Sequence, residues 1–145
     1  MTEKIALTTI SFIMLALTIR KGDRESICLT LGLTLGILLT LTRTPIFATV
    51  GLIIHMLTSL LISIFNLRHK EFSTFYQLTI ILSGIWAFVS NLFSIMEWPF
   101  AEEIRLTIII PILFYMINLF YGMLKRKEFG YLTIINMEFI LRIIR

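Results

Sequence analysis

Two apolar runs, residues 44–67 and 72–96, are separated by one short charged turn, Arg68-His69-Lys70-Glu71. Each run has at least 24 residues, and His55 is the only acidic or basic side chain inside either. About 20 consecutive apolar residues are enough for a helix to cross the hydrocarbon of a bilayer. The pair predicts two transmembrane helices joined by a tight polar hairpin. That arrangement leaves a chain of 145 residues no room for a water-soluble catalytic domain.

The flanking sequence repeats the pattern. Further apolar runs cover residues 5–19, 26–42 and 106–124, and the charged residues fall in short clusters between them. With 57% hydrophobic residues and a mean hydropathy of +0.91, the chain is more apolar than a soluble domain, which is nearer 45–50%. The expectation is an all-α, polytopic integral membrane protein. It forms a single membrane-embedded domain over residues 1–145, with five transmembrane helices and a C-terminal amphipathic helix. The first run lacks a strongly basic start and a small-residue cleavage site, so it reads as retained rather than as a signal peptide. One cysteine, Cys28, excludes an internal disulfide and a cysteine metal cluster. The net charge of +4 does not point to nucleic acid, because the basic residues sit at the ends of apolar runs.

Their distribution predicts an orientation. Placing the turns at 20–25, 68–71 and 125–128 on one side, together with the C-terminus, gathers ten of the 13 lysines and arginines there. Lys4, Arg43 and Arg105 are left on the other side. Basic loops favour the inner face, so the N-terminus is expected outside and the C-terminus inside. Residues 131–145 are too short to span. As a helix they put Glu138, Arg142 and Arg145 on one face and Leu132, Ile135, Phe139 and Ile143 on another, which suits a membrane surface or a partner subunit. Glu138 and Arg142 are also spaced to pair one turn apart.

Few residues offer chemistry. His55 lies midway along its run, where a titratable group is either a proton-path residue or a neutral histidine bonded to a neighbouring helix. No second intramembrane acid or base is expected beside it, which favours the packed, neutral reading. Gly32-Leu33-Thr34-Leu35-Gly36 is a GxxxG pattern that lets another helix approach closely. Ser83-Gly84 is a second small-residue notch, suited to close packing, a kink or a π-bulge. Pro111 should bend the run 106–124. Glu97, Glu102 and Glu103 read as a solvated acidic loop. There is no HExxH, no P-loop and no complete Ser-His-Asp set, because the sole aspartate, Asp23, lies in a basic turn. No cofactor and no metal are expected.

Pro45, His55, Leu57, Leu61-Ile62-Ser63, Phe72-Ser73 and Leu82-Ser83-Gly84 together resemble the early helices of the chain 6 family of NADH:ubiquinone oxidoreductase, over about 50 residues. Ser83 stands where that family has the first glycine of its notch. The resemblance implies a small helical subunit of a proton-translocating respiratory complex, in a mitochondrial or bacterial inner membrane, with other membrane subunits and the bilayer as partners. Leu92-Phe93-Ser94-Ile95-Met96-Glu97-Trp98-Pro99 is similar instead to a hairpin of small bacterial membrane proteins that include the channel-forming subunit of the gliding-motility motor. That second resemblance implies a self-associating channel or motor-stator protein.

Overall fold

The structure is a computed structural model that describes residues 2–42, 44–68, 73–96 and 101–144. The charged hairpin at 69–72 and the segment 97–100, with Glu97 and Trp98, lie outside the described residues. Among the described residues there are seven α-helices and no strands, so the all-α expectation holds. They are α1 (Thr2–Lys21), α2 (Arg24–Thr40), α3 (Pro45–Arg68), α4 (Thr74–Met96), α5 (Ala101–Thr107), α6 (Ile109–Phe120) and α7 (Phe129–Ile144). A short 3₁₀ turn, Met123–Lys125, leads into α7.

Local chemistry sets the boundaries. Gly22 adopts a positive φ of 75° after α1, and Asp23 caps α2 by accepting from the Ser26 backbone N–H at 3.1 Å. Pro45 opens α3, where its missing N–H removes nothing from the helix ladder. α2 thus ends at Thr40 and α3 starts at Pro45 as a separate helix. Pro111 has the opposite effect. It cannot donate back to the carbonyl four residues earlier, and the helical run is interrupted at Ile108, dividing α5 from α6.

Among the described residues only α3 and α4 are long and apolar enough to cross a membrane, so five spans are not supported. α2 has 17 residues. In the run 106–124, expected to form a fifth span, α5 ends at Thr107 and α6 supplies only 12 residues. α1 has the length, but carries Glu3, Lys4, Arg20 and Lys21 at its ends. At about 1.5 Å per residue, the 24 residues of α3 reach roughly 36 Å, more than the ~30 Å of a hydrocarbon core.

The expected surface position of the C-terminal helix is also overturned. α7 packs against α1, α2, α4 and α6, and every residue from Phe129 to Asn136 is buried. The cause lies in its composition. Phe129, Tyr131, Leu132, Ile134 and Ile135 put apolar side chains all around the first two turns, and a helix apolar on every side belongs in an interior. Hydrogen bonds and close contacts fix its direction. Asn66 of α3 meets Tyr131, whereas His55 of α3 meets Glu138, so α3 and α7 are antiparallel. Ser83 of α4 meets Asn136 and Asn91 meets Arg142, so α4 and α7 are parallel.

One end of the bundle collects Lys21, which donates to the carbonyls of Leu124 and Arg126, and the Lys127–Asp23 ion pair at 3.3 Å. α7 starts at that basic end and runs away from it. Arg142 therefore lies toward the other end, not on the basic side where the orientation argument put it.

The bundle is inverted in polarity along α3. His55, Ser59, Ser63 and Asn66 are buried, while Ile46, Val50, Ile53, Leu57, Leu61 and Ile64 are exposed at helical spacing on the outer face. The apolar core that does form is centred on α2, α4 and α7, through Leu33, Ile37, Ile80, Leu132, Ile135 and Phe139.

Candidate functional site

His55, Glu138 and Arg142 meet inside the bundle. Nε2 of His55 is 2.8 Å from Oε2 of Glu138, and the other carboxylate oxygen accepts from the Arg142 guanidinium at 2.5 Å. Arg142 also donates to the Ser90 hydroxyl at 2.6 Å and to the Asn91 side-chain carbonyl. His55 is 3% exposed and Glu138 9%. A carboxylate and a titratable ring are thus shut away from solvent, where unpaired charge costs several kcal/mol, and the guanidinium that pairs with them is partly exposed.

Each partner is placed by its own helix. His55 comes from the polar stripe of α3. Glu138 and Arg142 stand one turn apart on α7, which is why one guanidinium can reach both its own-helix carboxylate and α4. The close seat of α2 against α3 sets the position of the ring. A Cβ built on Gly36 would come within 2.9 Å of the Gly51 carbonyl and of the His55 backbone nitrogen. Gly32 faces Thr58 in the same way. The two glycines of the GxxxG pattern therefore pack against α3 of the same chain, as small residues at helix contacts do.

The second notch is spent inside the chain too. A Cβ on Gly84 would run into the Ser63 hydroxyl and come within 2.6 Å of the Ser59 carbonyl. α4 is α-helical from Thr74 to Met96, so Ser83-Gly84 is a site of close packing rather than a π-bulge. Ser63 donates to the Ile81 carbonyl at 3.1 Å across this contact, and Asn136 donates to Ser83 at 3.3 Å. Ser83 and Gly84 thus lie on the α3–α4–α7 seam, where they meet Asn136, Ser63 and Ser59.

The seam continues toward the basic end. Asn66 donates to Tyr131 at 3.2 Å, Gln77 donates to the Asn66 carbonyl at 2.9 Å, and Tyr76 donates to Glu128 at 3.0 Å. Polar side chains thus line one interface from Glu128 to Arg142. Within α7, the 11 steps from Tyr131 to Arg142 correspond to about 17 Å of helix. Three buried atoms on the seam lack an aligned hydrogen bond: Nε2 of His55, Oε2 of Glu138 and Oδ1 of Asn136. For the His55–Glu138 couple this means ion-pair contact at 2.8 Å without hydrogen-bond alignment.

Sequence reasoning singled out His55 but expected no acid or base beside it. A signal was present. Glu138 and Arg142 are the only charged residues in the 16 residues of α7. One acid and one base a turn apart in an otherwise apolar helix form a neutral pair that can be buried. Among the described residues, no group of three or more metal-ligating side chains is brought together. No family model, curated protein or solved structure matches the chain.

Proposed function

We propose that this protein is an integral membrane protein that acts as a non-catalytic subunit of a larger energy-coupled assembly. The observation that carries the reading is the inverted bundle with an ionisable cluster at its centre. In a hydrocarbon solvent apolar side chains are free to face outward, and polar ones must be satisfied within the protein. Ionisable side chains there are costly and tend to mark pathways for ions or protons. Two helices with spanning length and composition support the location. The resemblance at Pro45, His55 and Leu82-Ser83-Gly84 suggests the kind of assembly, a proton-translocating NADH:quinone oxidoreductase of a mitochondrial or bacterial inner membrane.

The alternative is a small channel or stator that self-associates through its glycine notches. It has less support, because Gly32, Gly36 and Gly84 are engaged inside the chain. Native electrophoresis of mildly solubilised membranes separates the two. Migration with a very large redox-active complex is expected. Migration as a small homo-oligomer overturns the subunit reading.

A further inference from the structure

We propose that His55 and Glu138 form one proton-binding site, with Arg142 as the fixed counter-charge that lets the site exist in both protonation states. The inference rests on the membrane reading only in that hydrocarbon surrounds the bundle. It deepens that reading by naming the proton as the ligand of the site.

Charge counting comes first. Glu138 and Arg142 cancel, so the cluster is neutral when the imidazole is neutral. A buried cluster with no net charge is the less costly state. Binding one proton makes the ring an imidazolium facing the carboxylate at 2.8 Å, and the cluster carries one positive charge. Opposite charges this close favour the loaded form, while burial of the net charge opposes it. The two effects act against each other, as a reversible site requires.

Geometry supplies the second argument. A histidine kept only for packing is expected to have its ring nitrogens locked in aligned hydrogen bonds. Here Nε2 and Oε2 face each other at 2.8 Å without an aligned hydrogen bond. Arg142, in contrast, is held by Ser90, Asn91 and Glu138 together.

Of the elements packed against α4 and α7, α5 also carries charge, with Glu102, Glu103 and Arg105, and Glu103 is exposed. α7 presents Glu138 and Arg142, and α4 presents Ser90 and Asn91 to the guanidinium. α2 presents Gly36 beside His55. The charges of α1 lie at its ends, with Lys4 bonded to the Thr40 carbonyl. In the exchange itself hydronium gives a proton to the imidazole and an N–H bond forms. On release that bond breaks and water takes the proton. No electron moves and no other reactant is needed.

The test uses nitrogen-15 spectra of histidine in the purified full chain, in lipid nanodiscs. The chain has two histidines, so His69→Gln leaves His55 as the only imidazole. The ring signals should move between the neutral and cationic positions as the pH is lowered. Glu138→Gln keeps hydrogen-bonding capacity but removes the anion. It should cut the cationic fraction at the parent's midpoint at least fivefold. A ring fixed in one neutral tautomer throughout overturns the proposal, as does a titration that Glu138→Gln leaves unchanged. If Glu138→Gln does not fold, the His69→Gln titration decides alone. The assembly reading is tested separately by native electrophoresis, so either can fail without the other.

Discussion

Oε2 of Glu138 and Nε2 of His55 stand 2.8 Å apart on antiparallel helices, and the same carboxylate binds Arg142 through its other oxygen. Removing one member of such a buried cluster strands the charge of another. Arg142→Met should therefore destabilise the protein by about 3–5 kcal/mol, the usual cost of breaking a buried pair. Adding Glu138→Gln to that variant removes the stranded anion and should recover most of the loss. Unfolding in mixed micelles, run as a double-mutant cycle, measures the coupling. Strictly additive losses would show that the two side chains do not act as a pair.

The α2–α3 contact leads to a steric prediction. A methyl group at Gly36 would press on backbone atoms of Gly51 and His55, which cannot swing aside as a side chain can. Gly36→Ala should cost roughly 1–3 kcal/mol, the range for overpacking. Gly84→Leu should cost at least as much, because its larger side chain meets Ser63 and the Ser59 carbonyl. Leu78 is exposed on α4, so Leu78→Ile should cost less than about 1.5 kcal/mol. Similar unfolding midpoints for all three would mean that the glycines are not contact points.

Most of the helices and the small-residue contacts could be read from the sequence, because glycine spacing and proline position act locally. Pro45 and Pro111 both mark helix boundaries for the same chemical reason, a missing N–H. The centre of the bundle was harder to read. Glu138, Arg142 and the apolar side chains of α7 fit a surface strip when that helix is considered alone. Only the way α1, α2, α4 and α6 enclose it makes the same charges interior. Asn136, Ser90 and Asn91 gave no periodic signal, since a single polar residue in an apolar helix takes its role from what it faces across the interface.

Asp23 gives a pH prediction. The hydrogen bonds from Ser26, together with the Lys127 charge, hold its carboxyl below the ordinary value of 3.8 against a smaller opposing effect of burial. A carboxylate with a lowered folded-state pKa stabilises the fold above its unfolded value, and that stability is lost as the pH falls through the folded value. Asp23→Asn keeps a capping oxygen but not the charge, so it should be slightly less stable than the parent near neutrality. The difference should shrink as the pH drops below about 3.8. Asp23→Ala loses the cap as well, at about 0.5–2 kcal/mol. Thermal melts of the three proteins from neutral to acid pH provide the measurement. A gap between parent and Asp23→Asn that stays constant into acid would show that the charge contributes nothing.

The direction of α7 gives the last prediction. The basic-residue count places the C-terminus on the same side as Lys127, because it treats residues 131–145 as lying along one face of the membrane. The packing requires otherwise. α7 leaves the end marked by Lys21, Asp23 and Lys127 and runs parallel to α4, passing Ser83 before it reaches Asn91. Its 16 residues cover about 24 Å, most of a hydrocarbon thickness. Single cysteines in place of Lys21, Lys127 and Ile144, in a Cys28→Ser background, can be labelled with a membrane-impermeant thiol reagent on intact and on opened vesicles. Lys127→Cys and Lys21→Cys should label from the same side. Ile144→Cys should label only from the opposite side, or become accessible only after solubilisation. Equal labelling of positions 127 and 144 from one side of sealed vesicles is incompatible with α7 crossing the bundle. The meeting of Glu138 with His55 depends on that crossing, so the same result would remove the basis of the proton-binding site.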